Sequence, residues 1–552
     1  MKIKKFTDFK KYKGIKLKLA AISLVLPMAI GSFSSKNSGK YQEVFRDDLV
    51  VPPTSSSQTT QDAFTSQNSS ENQITDDIIN DLSQEIELDE GDVQEVIADL
   101  SDIIVDYPYS ELFDIDEALA EESATIIAIP DSSTRLIVNS KVDENELYQQ
   151  ILQNNEEYLS QNKGITKYNG TTNSLIKKVC AVIAPQINEY LSGHDLSEQD
   201  INYLNEKLSD LKIFNYDGYG YASYNPDRAT LEVSEKMISN LQRNTGESQT
   251  FEKVVSHEIA HLLQAPTQQT ILQNNIMQFG PCIKQSGEQS PLYWDWYIEG
   301  SAEQLCMDYY ETNESLTYPA EIKALTLMKT AGAVDPSVDV TTLEELSLQS
   351  SREPIYEYFK CTTEEEEKEI LNMFYATNLF TSGSITTSNQ IFVDNYSSKH
   401  GPMDGSTQIK LEDEWQGCVA ATTSKTFYKN LAILISEKDL QLDEIFSLIS
   451  MYENNVSNLT WYSSKRQESL LDNYTKYQDI FFRALAESNH IDKDELVNSY
   501  TKFHDENKAN ISEDMDLTSS QKEYFQDILD KYQGDKKEPI VTLNLSSKTY
   551  QR

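Results

Sequence analysis

The sequence predicts an α+β protein in which a small sheet and one central helix form a domain that a mainly helical domain follows. Two short β-rich runs flank the turn Asn225-Pro226-Asp227, and Thr250 then caps a helix from Phe251 to about Gln264. Beyond Thr312 most segments with regular apolar spacing have the period of a helix. At 552 residues the chain is long enough for two to four folded units.

The charge of the chain argues against one large class of partners. Asp and Glu together number 89 against 47 Lys and Arg, which gives a formal net charge of -42. Because so acidic a surface repels phosphate backbones, we expect no nucleic acid partner. The five cysteines include no C-x-x-C pair, which argues against zinc ribbons and thioredoxin-like sites.

The N-terminus has the layout of a secretory signal. Lysines are frequent before a mainly apolar run at 19–30, and small residues follow that run. The run is shorter than the ~20 residues that a transmembrane helix needs. We therefore expect residues 1–31 to be a signal peptide that is cleaved after Gly31. The protein would then be secreted or extracellular, and it would be associated with the cell surface or a membrane only if the signal segment is retained.

The next two segments contain no pattern typical of a catalytic site. Residues 32–75 are rich in Ser, Thr, Gln and Asn and are predicted to be a disordered linker. Residues 76–165 form an acidic N-terminal module, in which the β-rich runs 125–130 and 135–139 are predicted to pair as a hairpin. This module is compatible with a pro-segment, a binding module or the first wall of the catalytic unit.

Residues 166–312 are predicted to be the catalytic domain, and residues 313–552 a mainly helical C-terminal domain. In the catalytic domain, helical spacing and then β-rich composition occur at 175–191, 197–211, 219–224 and 229–233. The central helix with its functional motif follows directly.

That helix carries the motif H-E-x-x-H, written here as His257-Glu258-Ile259-Ala260-His261. A spacing of four places two imidazoles on one helix face, where both reach one zinc ion at about 2.0 to 2.1 Å. Glu258 projects beside the metal and can take a proton from the water that the metal activates. Two histidines on a helix are also found as ordinary core or surface residues. Because the chain has only 6 His, a chance occurrence of the whole motif is rare, and the metal interpretation is favoured.

A catalytic zinc with three protein ligands needs one more donor. The aromatic-rich segment 293–305 contains Glu299, followed by the small residues Gly300 and Ala302, which would let two helices approach closely. Glu299 is therefore the favoured third ligand. Glu303 and Asp295 stay open as alternatives.

The two motifs together resemble those of the gluzincins, zinc metallopeptidases whose third ligand is a glutamate on a second helix. The resemblance covers about residues 215–310 and includes Trp296-Tyr297-Ile298-Glu299-Gly300-Ser301-Ala302-Glu303. It implies a zincin-like catalytic domain with one Zn²⁺ ion, whose ligands would be His257, His261 and Glu299. It further implies Glu258 as the general base and Glu303 as a hydrogen-bond acceptor for a ligand histidine. Thirty-seven residues separate His261 from Glu299, more than in compact members, so the subfamily is unassigned.

The resemblance also implies hydrolysis of peptide bonds in a polypeptide substrate. The strand 229–233 would be the edge strand that pairs with an extended substrate. A tyrosine or histidine would stabilise the oxyanion. The candidates for that role are Tyr310, Tyr318, Tyr356, Tyr375, Tyr396 and His400. Endo- or exo-action, the substrate and the oligomeric state stay open.

A second class of function is an exported surface-binding protein with a catalytically silent zincin domain. Its acidic helical modules would then make the contacts. The intact Glu258 argues against this alternative, because a silent domain has no need for a proton acceptor beside its ligands.

Overall fold

The computed structural model describes fifteen stretches of the chain. They are residues 90–102, 124–126, 134–218, 220–264, 270–272, 276–285, 294–312, 315, 317–332, 342–349, 351–382, 401–402, 405–437, 440–458 and 464–508. The predicted signal peptide, 1–31, and the predicted linker, 32–75, lie outside the described residues. Among the helices that are described, none combines the length and apolar character required to cross a bilayer.

The described chain is mainly helical with small sheets, which agrees with the α+β prediction at this coarse level. The helices are α1 (Glu90–Ser101), α2 (Glu144–Gln161), α3 (Asn173–Gly193), α4 (Glu198–Asp210), α5 (Glu235–Thr245), α6 (Thr250–Gln264), α7 (Asp295–Tyr309), α8 (Pro319–Gly332), α9 (Leu343–Leu346), α10 (Glu353–Tyr358), α11 (Glu364–Ser382), α12 (Gly405–Glu437), α13 (Leu442–Asn458), α14 (Ser464–Ser488) and α15 (Lys493–Lys508). The strands are β1 (Ala124–Ile126), β2 (Ile137–Val138), β3 (Lys141–Val142), β4 (Lys212–Asn215), β5 (Ala222–Asn225), β6 (Thr230–Val233), β7 (Thr270–Leu272), β8 (Ile276–Phe279) and β9 (Cys282–Gln285).

Polar side chains at the helix ends explain several of these boundaries. Ser197 caps α4 in a capping box with Asp200, as expected for a serine directly before a helix. Ser234 accepts a hydrogen bond at the start of α5, and Gly246 ends that helix in the left-handed conformation at φ 73°. Thr250 differs from the prediction: it is the first residue of α6, and its hydroxyl donates to the Glu247 carbonyl.

The sheet beside α6 corrects the predicted edge strand. Its order is β4-β6-β5, with β4 parallel to β6 and β5 antiparallel to it. The run 229–233, predicted to be the edge, therefore contains the central strand β6, because both of its sides are already paired. The strand at the border of the sheet that contacts α6 is β5.

The predicted hairpin of residues 125–130 and 135–139 is also wrong. β1 pairs with β7 in the sheet β1-β7-β8-β9, and β2 pairs with β3. The two predicted partners thus belong to different sheets. Most of the first of these sheets lies in the segment between His261 and Glu299, so that segment has secondary structure of its own.

Two apolar cores organise the described residues. The N-terminal core runs from Leu136 to Leu262 and is built by β2 to β6 together with α2 to α6. The C-terminal core is built by α7 to α15 and also includes Val93, Val96 and Leu100 of α1, as well as Phe279 and Cys282. Helix α1 packs against α12 and α14.

These cores divide the chain differently from the predicted modules. Residues of the acidic module 76–165 lie in both cores: α1 is in the C-terminal core, whereas α2 is in the N-terminal core. The predicted catalytic domain 166–312 is likewise shared, because α6 is in the first core and α7 in the second. The contact between α6 and α7 therefore joins the two cores, and the candidate site lies at this contact.

Candidate metal centre

Helix α6 places the two histidines of the motif one turn apart. Val255, Ile259 and Leu262 pack into the N-terminal core, as the apolar spacing predicts. His257 and His261 lie on another side of the helix, and only 6% and 8% of their surfaces are exposed. The helix is buried on nearly every side, because α7 covers the histidine side.

Helix α7 brings Glu299 to the same place. Gly300 allows a close approach, but to α8 rather than to α6: a Cβ at this position would lie 3.0 Å from the Glu321 carbonyl oxygen. The contact with α6 is made elsewhere, for example by Cys306, whose Sγ donates to the Lys253 carbonyl at 3.2 Å. Thus α7 is held between α6 and α8, and the Glu299 side chain points at the histidines.

Three side-chain atoms converge at the centre of the site. His257 Nε2 and His261 Nε2 are 3.1 Å apart, and Glu299 Oε2 is 3.1 Å from the first and 3.2 Å from the second. Two ligands of a tetrahedral ion with bonds of about 2.0 to 2.1 Å are separated by about 3.3 Å. The triangle therefore has the size that a metal ion with nitrogen and oxygen ligands requires, and this buried group could hold one.

The hydrogen bonds of the two outer nitrogens, Nδ1, determine whether the two inner nitrogens, Nε2, carry a proton or a lone pair. His257 Nδ1 lies 2.9 Å from Glu303 Oε2, and His261 Nδ1 lies 2.7 Å from Gln264 Oε1. Carboxylate and amide oxygens accept hydrogen bonds, so both Nδ1 atoms must carry the proton. A neutral imidazole then has only a lone pair at Nε2. With the Glu299 oxygen, three acceptors face one another, and the centre needs a positive charge between them.

The pKa shifts of His257 and Glu299 both indicate that the centre attracts a positive charge. Burial disfavours a charge on His257, but hydrogen bonds with Glu299 and Glu303 raise the pKa of His257 to about 10. Burial likewise opposes a charge on Glu299, yet His261 and His257 hold the pKa of Glu299 well below its usual range. Without a metal the centre therefore attracts a proton, and a bound cation supplies the same charge in its place.

Glu258 lies beside the three acceptors without joining them. Its Oε2 accepts the backbone N–H of Tyr224 in β5 at 2.7 Å, which fixes the carboxylate next to the outer strand of the sheet. Burial raises the pKa of Glu258, while the neighbouring His261 and His257 oppose that rise. Glu258 thus has a different partner from the two histidines of the motif: its carboxylate binds a strand, whereas their inner nitrogens face Glu299.

Glu303 connects the site to the segment before α8. Besides His257, its carboxylate accepts hydrogen bonds from Ser315 Oγ at 2.8 Å and from the backbone N–H and hydroxyl of Thr317. Tyr318 follows directly, and its ring stacks on His257 with 5.1 Å between ring centroids and 10° between planes. One carboxylate therefore orients an imidazole and holds the tyrosine that covers it.

We expect Glu303→Ala to weaken metal binding by about 10- to 100-fold, because His257 loses the acceptor that fixes its tautomer. Competition with a chromophoric chelator measures the affinity. Gln304→Ala is the matched control, since it truncates the next side chain of α7, whose amide donates to Asp308 and not to an imidazole. Wild-type affinity in Glu303→Ala, or an equal loss in Gln304→Ala, would contradict the role of Glu303.

Of the other candidate residues that the structure describes, none belongs to the group of three converging atoms. Asp295, an alternative third ligand, is not in the group of three, and Glu303 contacts the outer nitrogen of His257 rather than the triangle. Among the oxyanion candidates, Tyr318 contacts a histidine of the centre. Tyr310 packs on Tyr309, while Tyr356 and Tyr375 pack in the C-terminal core. Tyr396 and His400 lie outside the described residues.

Sequence reasoning missed Gln264. It is the last residue of α6, three positions after His261, where a side chain lies one turn along the same helix face. That spacing could have indicated a partner for His261. The remaining contacts of Gln264 come from distant parts of the chain and leave no local pattern in the sequence.

Comparison of the chain with protein-family models, curated proteins and solved structures finds no match. The chemistry of the centre is therefore inferred from its own residues.

Proposed function

We propose that the protein is a secreted, zinc-dependent peptidase of the gluzincin type. The observation that carries this proposal is the triangle of His257 Nε2, His261 Nε2 and Glu299 Oε2, with the buried Glu258 carboxylate beside it. Two imidazoles and one carboxylate suit zinc, whereas Mg²⁺ and Ca²⁺ take mainly oxygen ligands. A ligand set of three also leaves a position for water or substrate.

Each residue of the site has a distinct task in this reaction. A zinc ion would supply the Lewis acid, which lowers the pKa of a water molecule and polarises the scissile carbonyl. Glu258 accepts the proton of the attacking water and delivers it to the leaving amine. The Tyr224 N–H keeps the Glu258 carboxylate in one orientation. Glu303 and Gln264 hold the proton of each neutral imidazole on Nδ1, so that the lone pair of each Nε2 faces the metal position.

The position of Glu258 also supports a polypeptide substrate. The Tyr224 N–H that it binds belongs to β5, an outer strand of the sheet, and points away from β6. An extended chain can add to such a strand through backbone hydrogen bonds. A scissile bond placed along β5 would then lie next to the proton acceptor. This role falls to β5 rather than to β6, which has a partner on each side.

We propose Tyr318 as the donor that stabilises the oxyanion. Burial raises the pKa of Tyr318 well above its usual value, and the charges of Glu299 and Glu258 raise it further, so the phenol stays protonated. Tyr318→Phe keeps the ring that stacks on His257 but removes the hydroxyl. We expect kcat to fall by about 10²- to 10³-fold with unchanged metal affinity.

Steady-state kinetics on a fluorogenic peptide, together with a metal titration, measure both quantities. Tyr310→Phe removes a hydroxyl at the end of α7 and is expected to retain activity. Full activity in Tyr318→Phe would exclude the proposed donor role and leave the ring with a packing function only.

The test of the proposed function is cleavage of an unstructured polypeptide by the full-length protein. A denatured and alkylated protein serves as substrate, first with the zinc-loaded enzyme, then after chelation, and then after zinc is restored. We expect cuts that stop on chelation and return with zinc, and mapped cut sites distinguish endo- from exo-action. Cuts that ignore the metal, or a zinc-loaded protein that makes none, would contradict the proposal. The second outcome would favour the alternative of an exported binding protein.

A further inference from the structure

Gln264 has more contacts to the site than its place at the end of α6 would suggest. The side chain is fully buried, and its Oε1 lies 2.7 Å from His261 Nδ1. Its Nε2 donates to the Ile298 carbonyl in α7 and to Ser347 Oγ after α9, both at 3.0 Å. One amide thus joins the second histidine to the residue that precedes Glu299 and to a turn in the C-terminal core.

The partners of the amide nitrogen fix the orientation of the amide. Ile298 offers a backbone carbonyl, which only accepts. Ser347 Oγ donates its own proton to the Glu344 carbonyl at 2.6 Å, so it meets Gln264 as an acceptor. Since both groups require a donor, the NH₂ end of Gln264 must face them. The oxygen end must then face His261, and His261 must carry its proton on Nδ1.

The backbone of Gln264 holds a further element at the same place. Its carbonyl accepts the N–H of Gly280, in the turn between β8 and β9, at 2.6 Å. Gly280 has φ 53°, and a Cβ there would come within 2.0 Å of the Ser347 carbonyl oxygen. The ring of Phe279, the residue before it, is nearly perpendicular to the His261 ring, with 6.1 Å between ring centroids and 78° between planes. The β8–β9 hairpin, which belongs to the long segment between His261 and Glu299, therefore packs against His261.

We infer that Gln264 is the positioning residue of His261, and that it fixes the tautomer which leaves Nε2 free to bind the metal. This inference rests on the proposed metal centre but not on peptidase activity. The two ligand histidines are then supported differently: His257 by the charged carboxylate of Glu303, and His261 by a neutral amide. The amide in turn depends on α7, the turn after α9 and the β8–β9 hairpin, so these three elements belong to the metal centre.

The test compares two substitutions with opposite expectations. Gln264→Met keeps the length and much of the volume but offers His261 no oxygen, so we expect its zinc affinity to fall by about 10- to 100-fold. Gln264→Glu keeps an oxygen acceptor, as Glu303 does for His257, and is expected to bind zinc within a few-fold of the wild type. A role in packing alone predicts the reverse order, because a buried carboxylate facing the Ile298 carbonyl is costly whereas methionine is tolerated.

The measurement is competition for zinc with a chromophoric chelator on the full-length protein, with the cobalt(II) absorption spectrum as a second readout of the ligand geometry. Gln186→Met is the matched control: Gln186 is also buried and donates to α6, at the Ser256 carbonyl, but does not contact either imidazole. Far-ultraviolet circular dichroism confirms that each variant is folded.

A loss confined to Gln264→Met supports the inference. Wild-type affinity in Gln264→Met, or a greater loss in Gln264→Glu than in Gln264→Met, overturns it. Either result would leave the proposed metal centre intact as long as the wild type binds zinc in the same assay. A wild type that binds no zinc would instead refute the proposed function.

Discussion

Glu258→Gln is expected to lose peptide cleavage by about 10²- to 10⁴-fold in kcat while it keeps its zinc. The carboxylate is not one of the three converging atoms, so the metal does not depend on it. A glutamine amide has nearly the same shape but cannot accept the proton of the attacking water. Kinetics on a fluorogenic peptide and elemental analysis of the same purified sample measure activity and metal content side by side.

Glu252→Gln provides the control for this change. Glu252 lies in the first turn of α6, so the substitution makes the same chemical change on the same helix, more than one turn before the motif. Its activity and its metal content are both expected to match those of the wild type. Equal activity in Glu258→Gln and the wild type would remove Glu258 from the reaction and end the proposed mechanism.

Glu299→Ala is expected to lose the metal, by more than the roughly 100-fold expected for an outer partner such as Glu303. The substitution deletes one of three ligands and also the negative charge that faces two buried imidazoles. Zinc stabilises the folded wild type by mass action, by about 2.7 kcal/mol when free zinc is 100 times Kd. The melting temperature of the wild type should therefore rise with added zinc, whereas that of Glu299→Ala should not.

Asp295→Ala separates the favoured third ligand from its alternative. Asp295 is one turn before Glu299 on α7 but does not join the converging atoms. We expect it to respond to zinc as the wild type does. The reverse result, with zinc-dependent stability lost in Asp295→Ala and kept in Glu299→Ala, would assign the third ligand to Asp295.

The parts of the site that follow from local geometry could be predicted from the sequence. The i, i+4 spacing of His257 and His261 determines their relative position on any helix, and the helix itself is indicated by Val255, Ile259 and Leu262. The small residues that follow it favoured Glu299 as the third ligand, and the resemblance to gluzincins added the role of Glu303. The structure brings these two carboxylates to the inner and the outer nitrogens of His257. Neither glutamate has a local signal as strong as that of the histidines.

The parts that depend on tertiary packing could not be predicted. Strand order is not encoded in the β-rich composition of residues 229–233, and β6 is central only because β4, from an earlier part of the chain, pairs with its other side. Gln264 owes its role to Ile298 and Ser347, which are 34 and 83 residues away in the sequence. In the same way, the spacing of Val93, Val96 and Leu100 is typical of a helix but does not indicate that these residues pack in the C-terminal core.

The most direct test of the metal centre is an anomalous difference map from crystals of the zinc-loaded protein, recorded on either side of the zinc absorption edge. We expect one peak at about 2.0 to 2.1 Å from His257 Nε2, His261 Nε2 and a carboxylate oxygen of Glu299. A zinc-loaded crystal with no peak between these three residues, or with its strong peak at other ligands, would contradict the account.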